Sequence, residues 1–85
     1  MSYFVYMLKC ISSEKKKTYV GYTNNLNKRL SLHNSSKGAK FTKGKKWSII
    51  YHRKFLDKSS ALKDEYKLKK DYKLRNLIKK KFIKK

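Results

Sequence analysis

Arg29 is the first residue of this 85-residue chain whose type suggests chemistry. It is one of three arginines among 25 basic residues, the rest being lysines. Its planar fork grips a phosphate through two parallel hydrogen bonds, where lysine offers only a point charge. Helical spacing turns Leu26, Leu30 and His33 toward one side and sets Arg29 about 40° from His33, at the edge of that stripe. An arginine there either clamps an oxyanion or solvates a helix face. Glu65 is the second such residue. Measured from Ala61, a helix places Leu68 at about 340°, Leu62 at about 100° and Glu65 at about 40°. Glu65 thus falls within the apolar stripe and Asp64 outside it. A carboxylate at a core margin needs a cation, a donor or a metal to offset its desolvation. A structural ion pair with a lysine and a metal site both meet that need.

Other residues carry weaker signals. His33 reads as a helix C-terminal histidine favoured by the dipole. Tyr6 and Tyr19 lie in strand-like runs, where tyrosines mostly pack. Gly21 within a strand implies a bulge or a close backbone approach. Phe41 and Trp47 flank a basic loop and either stack on bases or anchor that loop. Several chemistries are excluded. The single cysteine, Cys10, makes no internal disulfide and no cysteine-rich zinc site. His33 and His52 show no metal-ligand spacing. Five acids, Glu14, Asp57, Asp64, Glu65 and Asp71, argue against a carboxylate-rich two-metal nuclease.

The charge narrows the partner. A net +20, with 39% hydrophobic residues and twelve aromatics, describes a chain that folds and attracts polyanions, nucleic acid before an anionic membrane. No apolar run is long enough to span a bilayer and no signal-peptide block opens the chain, so a cytoplasmic protein is expected. No obligate protein partner is evident.

The elements that must position these residues follow from periodicity. Tyr3–Leu8 is a continuous apolar run, the pattern of a strand buried on both faces. A polar turn at residues 12–17 leads to a second strand, Thr18–Tyr22, and an antiparallel hairpin. Thr23 or Asn24 is expected to cap a helix running to about His33. Residues 34–46, with Gly38, Gly44 and Lys40, Lys43, Lys45 and Lys46, read as a basic loop or extended segment. Trp47–Phe55 is strand-like. Asp57 or Ser59 caps a helix from about Ser60 to Lys70. A basic amphipathic helix of residues 73–85 follows, with Leu74, Leu77, Ile78 and Phe82 at helical spacing. The expectation is one α+β domain over residues 1–85, a small three-stranded, mainly antiparallel sheet flanked by helices in the order β-β-α-β-α-α.

In that order the chain resembles the GIY-YIG nuclease superfamily, specifically its small stand-alone members. Phe4-Val5-Tyr6 stands where the family has Gly-Ile-Tyr, and Tyr19-Val20-Gly21 where it has Tyr-Ile-Gly. The segment from Tyr22 to Asn34 looks like the family's next stretch, with Arg29 and His33 at its Arg and frequent His. Gly38–Thr42 and Trp47–Tyr51 are similar to the loop and third strand of the stand-alone branch. Ala61–Glu65 matches the helix that bears the family's metal-binding Glu. The resemblance implies a phosphodiester-cleaving endonuclease acting on DNA with little sequence specificity. It implies one divalent cation, Mg²⁺ or Mn²⁺, held by Glu65. Arg29 would clamp the phosphate, Tyr6 or Tyr19 would activate water with Tyr6 favoured, and His33 would shuttle a proton. Gly21 would let the backbone approach the phosphate, Lys40, Lys43, Lys45 and Lys46 would contact nucleic acid, and Asn76 sits near the family's late asparagine. The alternatives are a basic nucleic-acid-binding module without catalysis, and a ribosome-associated or membrane-surface protein.

Overall fold

In the computed structural model, which describes residues 2–11, 17–35, 37–38 and 40–83, the chain is α+β, in the order β-β-α-β-α-α. Strand β1 (Tyr3–Cys10) is the centre of a sheet ordered β2-β1-β3, with β2 (Thr18–Thr23) and β3 (Trp47–Phe55) both antiparallel to it. The central place explains the apolar run: Val5, Tyr6, Met7 and Leu8 are buried in succession because both faces of β1 are covered. Residues 12–16 of the expected polar turn lie outside the described residues.

Side-chain alternation along β1 divides the core in two. Tyr6, Leu8 and Cys10 face one side with Trp47, and Leu26 and Leu30 of helix α1 (Leu26–Asn34) pack there. Val5, Met7 and Val20 face the other, against Ala61 and Leu68 of α2 (Lys58–Lys70) and Ile78 of α3 (Tyr72–Ile83). Opposite β1 the register passes from Met7↔Tyr51 to Leu8↔Ile49, which leaves Ile50 as an extra residue. That bulge lets Ile50 and Tyr51 both serve the α2–α3 side while Ile49 and Trp47 serve the other.

The helix starts differ from the sequence expectation for local reasons. Asn25, not Thr23 or Asn24, caps α1: its extended backbone (φ −149°, ψ 99°) lets its Oδ1 accept the Lys28 N–H at 3.1 Å. The Thr23 hydroxyl is already committed, accepting the Asn25 N–H at 3.1 Å and so turning the chain out of β2. Asp57 caps α2, which begins at Lys58, two residues early. Its carboxylate accepts from both the N–H and the hydroxyl of Ser60, and those bonds hold it below the usual Asp value. Asp71 Oδ1 accepts the Leu74 N–H, so α3 starts at Tyr72. Lys84 and Lys85 lie outside the described residues, as does the Phe82 side chain. Of the helix positions expected to face inward, Leu62, Leu74 and Leu77 are exposed. Three strands offer too little width to cover two helices, and Ala61, Leu68 and Ile78 fill the available surface.

The basic loop is more ordered than its composition suggests. It contains a 3-10 turn, Lys40–Thr42, with Thr42 fully buried. Asn34 grips its far end: Oδ1 accepts the Trp47 N–H at 2.6 Å and Nδ2 donates to the Trp47 carbonyl at 3.2 Å. The Trp47 indole N–H in turn donates to the Thr42 carbonyl at 3.0 Å.

Candidate active site

Tyr6 is the hub of a polar cluster on the α1 side of the sheet. Its hydroxyl lies 2.9 Å from His33 Nε2 and accepts Arg29 Nε–H at 3.4 Å. Arg29 and His33 are four residues apart on α1, one turn, so a single helix face brings both to one phenol. Tyr6 pairs with Gly21 across the β1–β2 ladder. The hydrogen of Gly21 leaves the room that Tyr6 occupies, since a Cβ there would lie 2.6 Å from the Tyr6 hydroxyl and 2.8 Å from its Cζ. The strand glycine implied a close approach, and on its Cβ side the approaching group is the Tyr6 ring. Tyr19 stacks between His33 (5.0 Å between ring centroids) and Phe41 (6.2 Å).

His33 lies in the last turn of α1, as expected, but in an unexpected environment. It is fully buried rather than displayed at the helix end, because its Nδ1 lies 2.8 Å from Thr42 Oγ1 and the loop closes over it. Gly38 makes that closure possible: a Cβ there would come within 2.5 Å of Nδ1. Burial, aided by the Arg29 charge, lowers the His33 pKa from 6.5, so the ring is neutral at neutral pH. Burial also raises the Tyr6 pKa, outweighing the lowering by Arg29. The Tyr6 hydrogen bond raises the pKa of Arg29, with Tyr19 adding a smaller electrostatic contribution. The resting cluster is therefore a protonated phenol, a neutral imidazole and a fixed cation.

Glu65 approaches from the opposite side of the sheet, on α2, and its charge is felt at the Tyr6 phenol. Its side chain is 16% exposed, and Lys69 Nζ stands 3.7 Å from Oε2. Asp64 turns away to Arg53 at 3.8 Å. An open cleft of about 480 Å³ beside the cluster is lined by Arg29, Tyr3, Tyr22, Thr23, Asn24 and Lys58. Asn24 reads from the sequence only as a possible helix cap, and Lys58 does not stand out among many lysines. Nothing in the sequence marks Thr42 as a hydrogen-bonding residue, since residues 34–46 read only as a basic loop or extended segment.

The remaining candidates sit apart from this cluster. Lys40 and Lys43 are exposed on the 3-10 turn and its exit. Lys45 Nζ lies 5.9 Å above the Phe41 ring and donates to the Phe41 carbonyl, while Lys46 Nζ donates to the Asn34 carbonyl. Trp47 is core, and Phe41 is a half-exposed lid on Tyr19. Asn76 is half-buried on α3, which packs on α2 and β3. Among the described residues no group of three or more His, Cys, Asp or Glu gathers, and no helix is long and apolar enough to cross a membrane.

Residues 2–79 match the family profile described as the GIY-YIG catalytic domain. The UPF0213 protein OB0043 of Oceanobacillus iheyensis is 43% identical over 68 residues, 79% of this chain and 76% of that protein. The UPF0213 protein YazA of Bacillus subtilis is 40% identical over 70 residues, 81% of this chain and 68% of that protein. The solution structure of the UPF0213 protein BH0048 from Bacillus halodurans superposes with a TM-score of 0.54 at 32% identity, covering 93% of this chain and 84% of that one. With the Tyr6, Tyr19–Gly21, Arg29 and Glu65 segments in their family order, the chain belongs to the GIY-YIG nuclease family, alongside the UPF0213 proteins.

Proposed function

We propose that the protein is an endonuclease of the cytoplasm that hydrolyses phosphodiester bonds in DNA, with little sequence specificity, as a single catalytic domain using one divalent cation. The observation that carries this reading is the Tyr6 hydroxyl, joined to both Arg29 and His33 in one cluster. Glu65 offers a hard oxygen donor of the kind such cations take, loosely paired with Lys69 at 3.7 Å. Glu65 would hold Mg²⁺ or Mn²⁺, which supplies charge stabilisation to the phosphate and the leaving oxygen. Arg29 lines the cleft, and its guanidinium has five N–H donors, more than the Tyr6 phenol engages. The remaining donors clamp the non-bridging oxygens as negative charge develops on them.

Tyr6 is held protonated at rest, so it serves as base only if its own proton leaves as it takes one. His33 is the acceptor at hand, 2.9 Å away and neutral. Water gives a proton to Tyr6 Oη, the phenol's proton passes to His33, the water oxygen bonds to phosphorus, and the P–O ester bond breaks with its electron pair leaving on the departing oxygen, which takes a proton from solvent water. Tyr19 packs against the Tyr6 and His33 rings and holds the relay pair in place. Lys40, Lys43, Lys45 and Lys46, with Asn76 further off, steer the polyanion without reading its bases, as a +20 charge leads one to expect.

Nicking of supercoiled plasmid by rigorously purified protein tests the reading. Mg²⁺-dependent nicking is expected, abolished by chelation and reduced about a hundredfold or more in Glu65→Gln. The substitution removes only a loose i,i+4 helical ion pair with the half-exposed Lys69, and such pairs are worth about 0.3–0.5 kcal/mol, so the melting temperature should scarcely move. Wild-type protein that binds DNA but never nicks it, with either metal, would establish the binding-module alternative.

A further inference from the structure

The loop residue Thr42 stands outside every role given so far, yet it is fully buried and its hydroxyl meets His33 Nδ1 at 2.8 Å. The direction of that hydrogen bond follows from the other end of the chain of contacts. Arg29 has only donors, so at Tyr6 Oη it occupies an acceptor site of the phenol. The Tyr6 hydrogen then needs an acceptor, in a side chain only 2% exposed. Among the hydrogen bonds of the described residues, that acceptor is His33 Nε2. The reverse assignment, Nε2–H donating to Tyr6, would load the phenol with two donors and leave its own hydrogen buried without a partner, at a cost of about 1–3 kcal/mol. With Nε2 accepting, the neutral ring carries its hydrogen on Nδ1 and donates it to Thr42 Oγ1.

We propose that Thr42 is a positioning residue that locks His33 in the Nδ1–H tautomer, keeping Nε2 open to receive the Tyr6 proton. Its catalytic consequence rests on the nuclease reading above, while the tautomer itself does not. Gly38 belongs to the same device. A side chain there would strike the imidazole at Nδ1, the atom Thr42 must reach, so the loop can bring its hydroxyl to the ring only past a glycine. When His33 takes the Tyr6 proton it becomes a cation with both nitrogens donating, and the Nδ1–H···Oγ1 bond persists unchanged. The relay therefore moves one proton with no reorientation of the ring. It also explains why a basic loop with no apolar periodicity folds its one threonine into the interior.

Long-range ¹⁵N–¹H correlation spectra of the His33 ring, in wild type, Thr42→Ser and Thr42→Val, test the lock without any substrate. Wild type and Thr42→Ser should show a protonated Nδ1 and a bare Nε2. Thr42→Val, equal in shape but without the hydroxyl, should shift the ring toward Nε2–H. In plasmid nicking, Thr42→Val should be slower by about tenfold or more while Thr42→Ser retains most of the rate and DNA affinity is unchanged in both. A wild-type ring protonated at Nε2 overturns the proposal, and this reading is available even if Thr42→Val fails to fold. So does a serine variant as slow as the valine one. Absence of nicking in wild type would sink the nuclease reading, while the spectra would still decide the tautomer.

Discussion

Replacing Gly21 by alanine adds one carbon where the site has no space. The new Cβ would lie 2.6 Å from the Tyr6 hydroxyl, 2.8 Å from its Cζ and 3.1 Å from Tyr19 Cε2. Ordinary carbon contacts begin near 3.5 Å, so the phenol must retreat by roughly 1 Å. The end of a tyrosine often yields cheaply, but this one is wedged. Its ring is 2% exposed, with His33 at 5.9 Å and Tyr19 at 6.4 Å between centroids. The Arg29 bond, already 3.4 Å, has no slack to follow. Overpacking of this kind costs about 1–3 kcal/mol. In a domain of this size each kcal/mol lowers the melting temperature by about 4–8 °C. Gly21 has an ordinary negative φ among the described glycines, where only Gly44 is positive, so no backbone strain adds to the cost. Calorimetry of the purified variant measures the loss, and spectrophotometric titration reports the Tyr6 ionisation displaced. An alanine variant as stable as wild type would show that Tyr6 is not confined as described.

Three further outcomes follow from the same geometry. Arg29→Lys keeps the charge and loses the fork, so nicking should fall by about a hundredfold in rate assays while filter-binding affinity for DNA stays nearly constant; equal rates would reduce Arg29 to a solvated helix residue. DNA affinity should drop steeply between roughly 50 and 200 mM salt, with a log–log slope of about −0.9 per phosphate contacted and little difference between unrelated duplexes. Since burial holds His33 below 6.5 in the folded protein, the unfolded chain binds the proton first as pH falls. The stability His33 contributes is whole above pH 6.5 and is lost as pH falls through its depressed value, at up to about 1.4 kcal/mol per pH unit. Denaturant titrations from pH 7.5 to 5 should show this slope in wild type and a flatter one in His33→Gln.

What the sequence made legible was what local pattern controls. The unbroken apolar run of Tyr3–Leu8 could only be a strand covered on both faces, and β1 is that strand. Leu26 and Leu30 marked the buried side of α1, and the angle of Glu65 beside Ala61 and Leu68 pointed its carboxylate inward. What stayed hidden depended on partners distant in sequence. Thr23 looked like a cap until its hydroxyl was seen to turn the chain toward Asn25. His33 looked like a dipole-stabilised terminus because its helix gives no hint that Thr42 and Gly38 will fold back over it. Gly21 announced a close approach, but not that the approaching group was the phenol across the ladder. Leu62 and Leu77 fit an apolar stripe that is wider than the sheet beneath it.

The placement of Glu65 on one side of the sheet and of Arg29 and His33 on the other bears on how the chain matures. Tyr6 and His33 are separated by 27 positions, and Glu65 enters from far later in the chain. No hairpin, helix pair or other local fragment contains the whole set, so the set exists only after β3 has docked and α2 has closed over β1 and β2. A nascent or partly unfolded chain still carries its lysines and still clings to nucleic acid. It does so without a complete site, so on the nuclease reading cohesion of the entire sheet acts as a built-in interlock between binding a polyanion and cutting it. Substitutions that loosen the sheet, wherever they fall, should release that coupling first and the binding last.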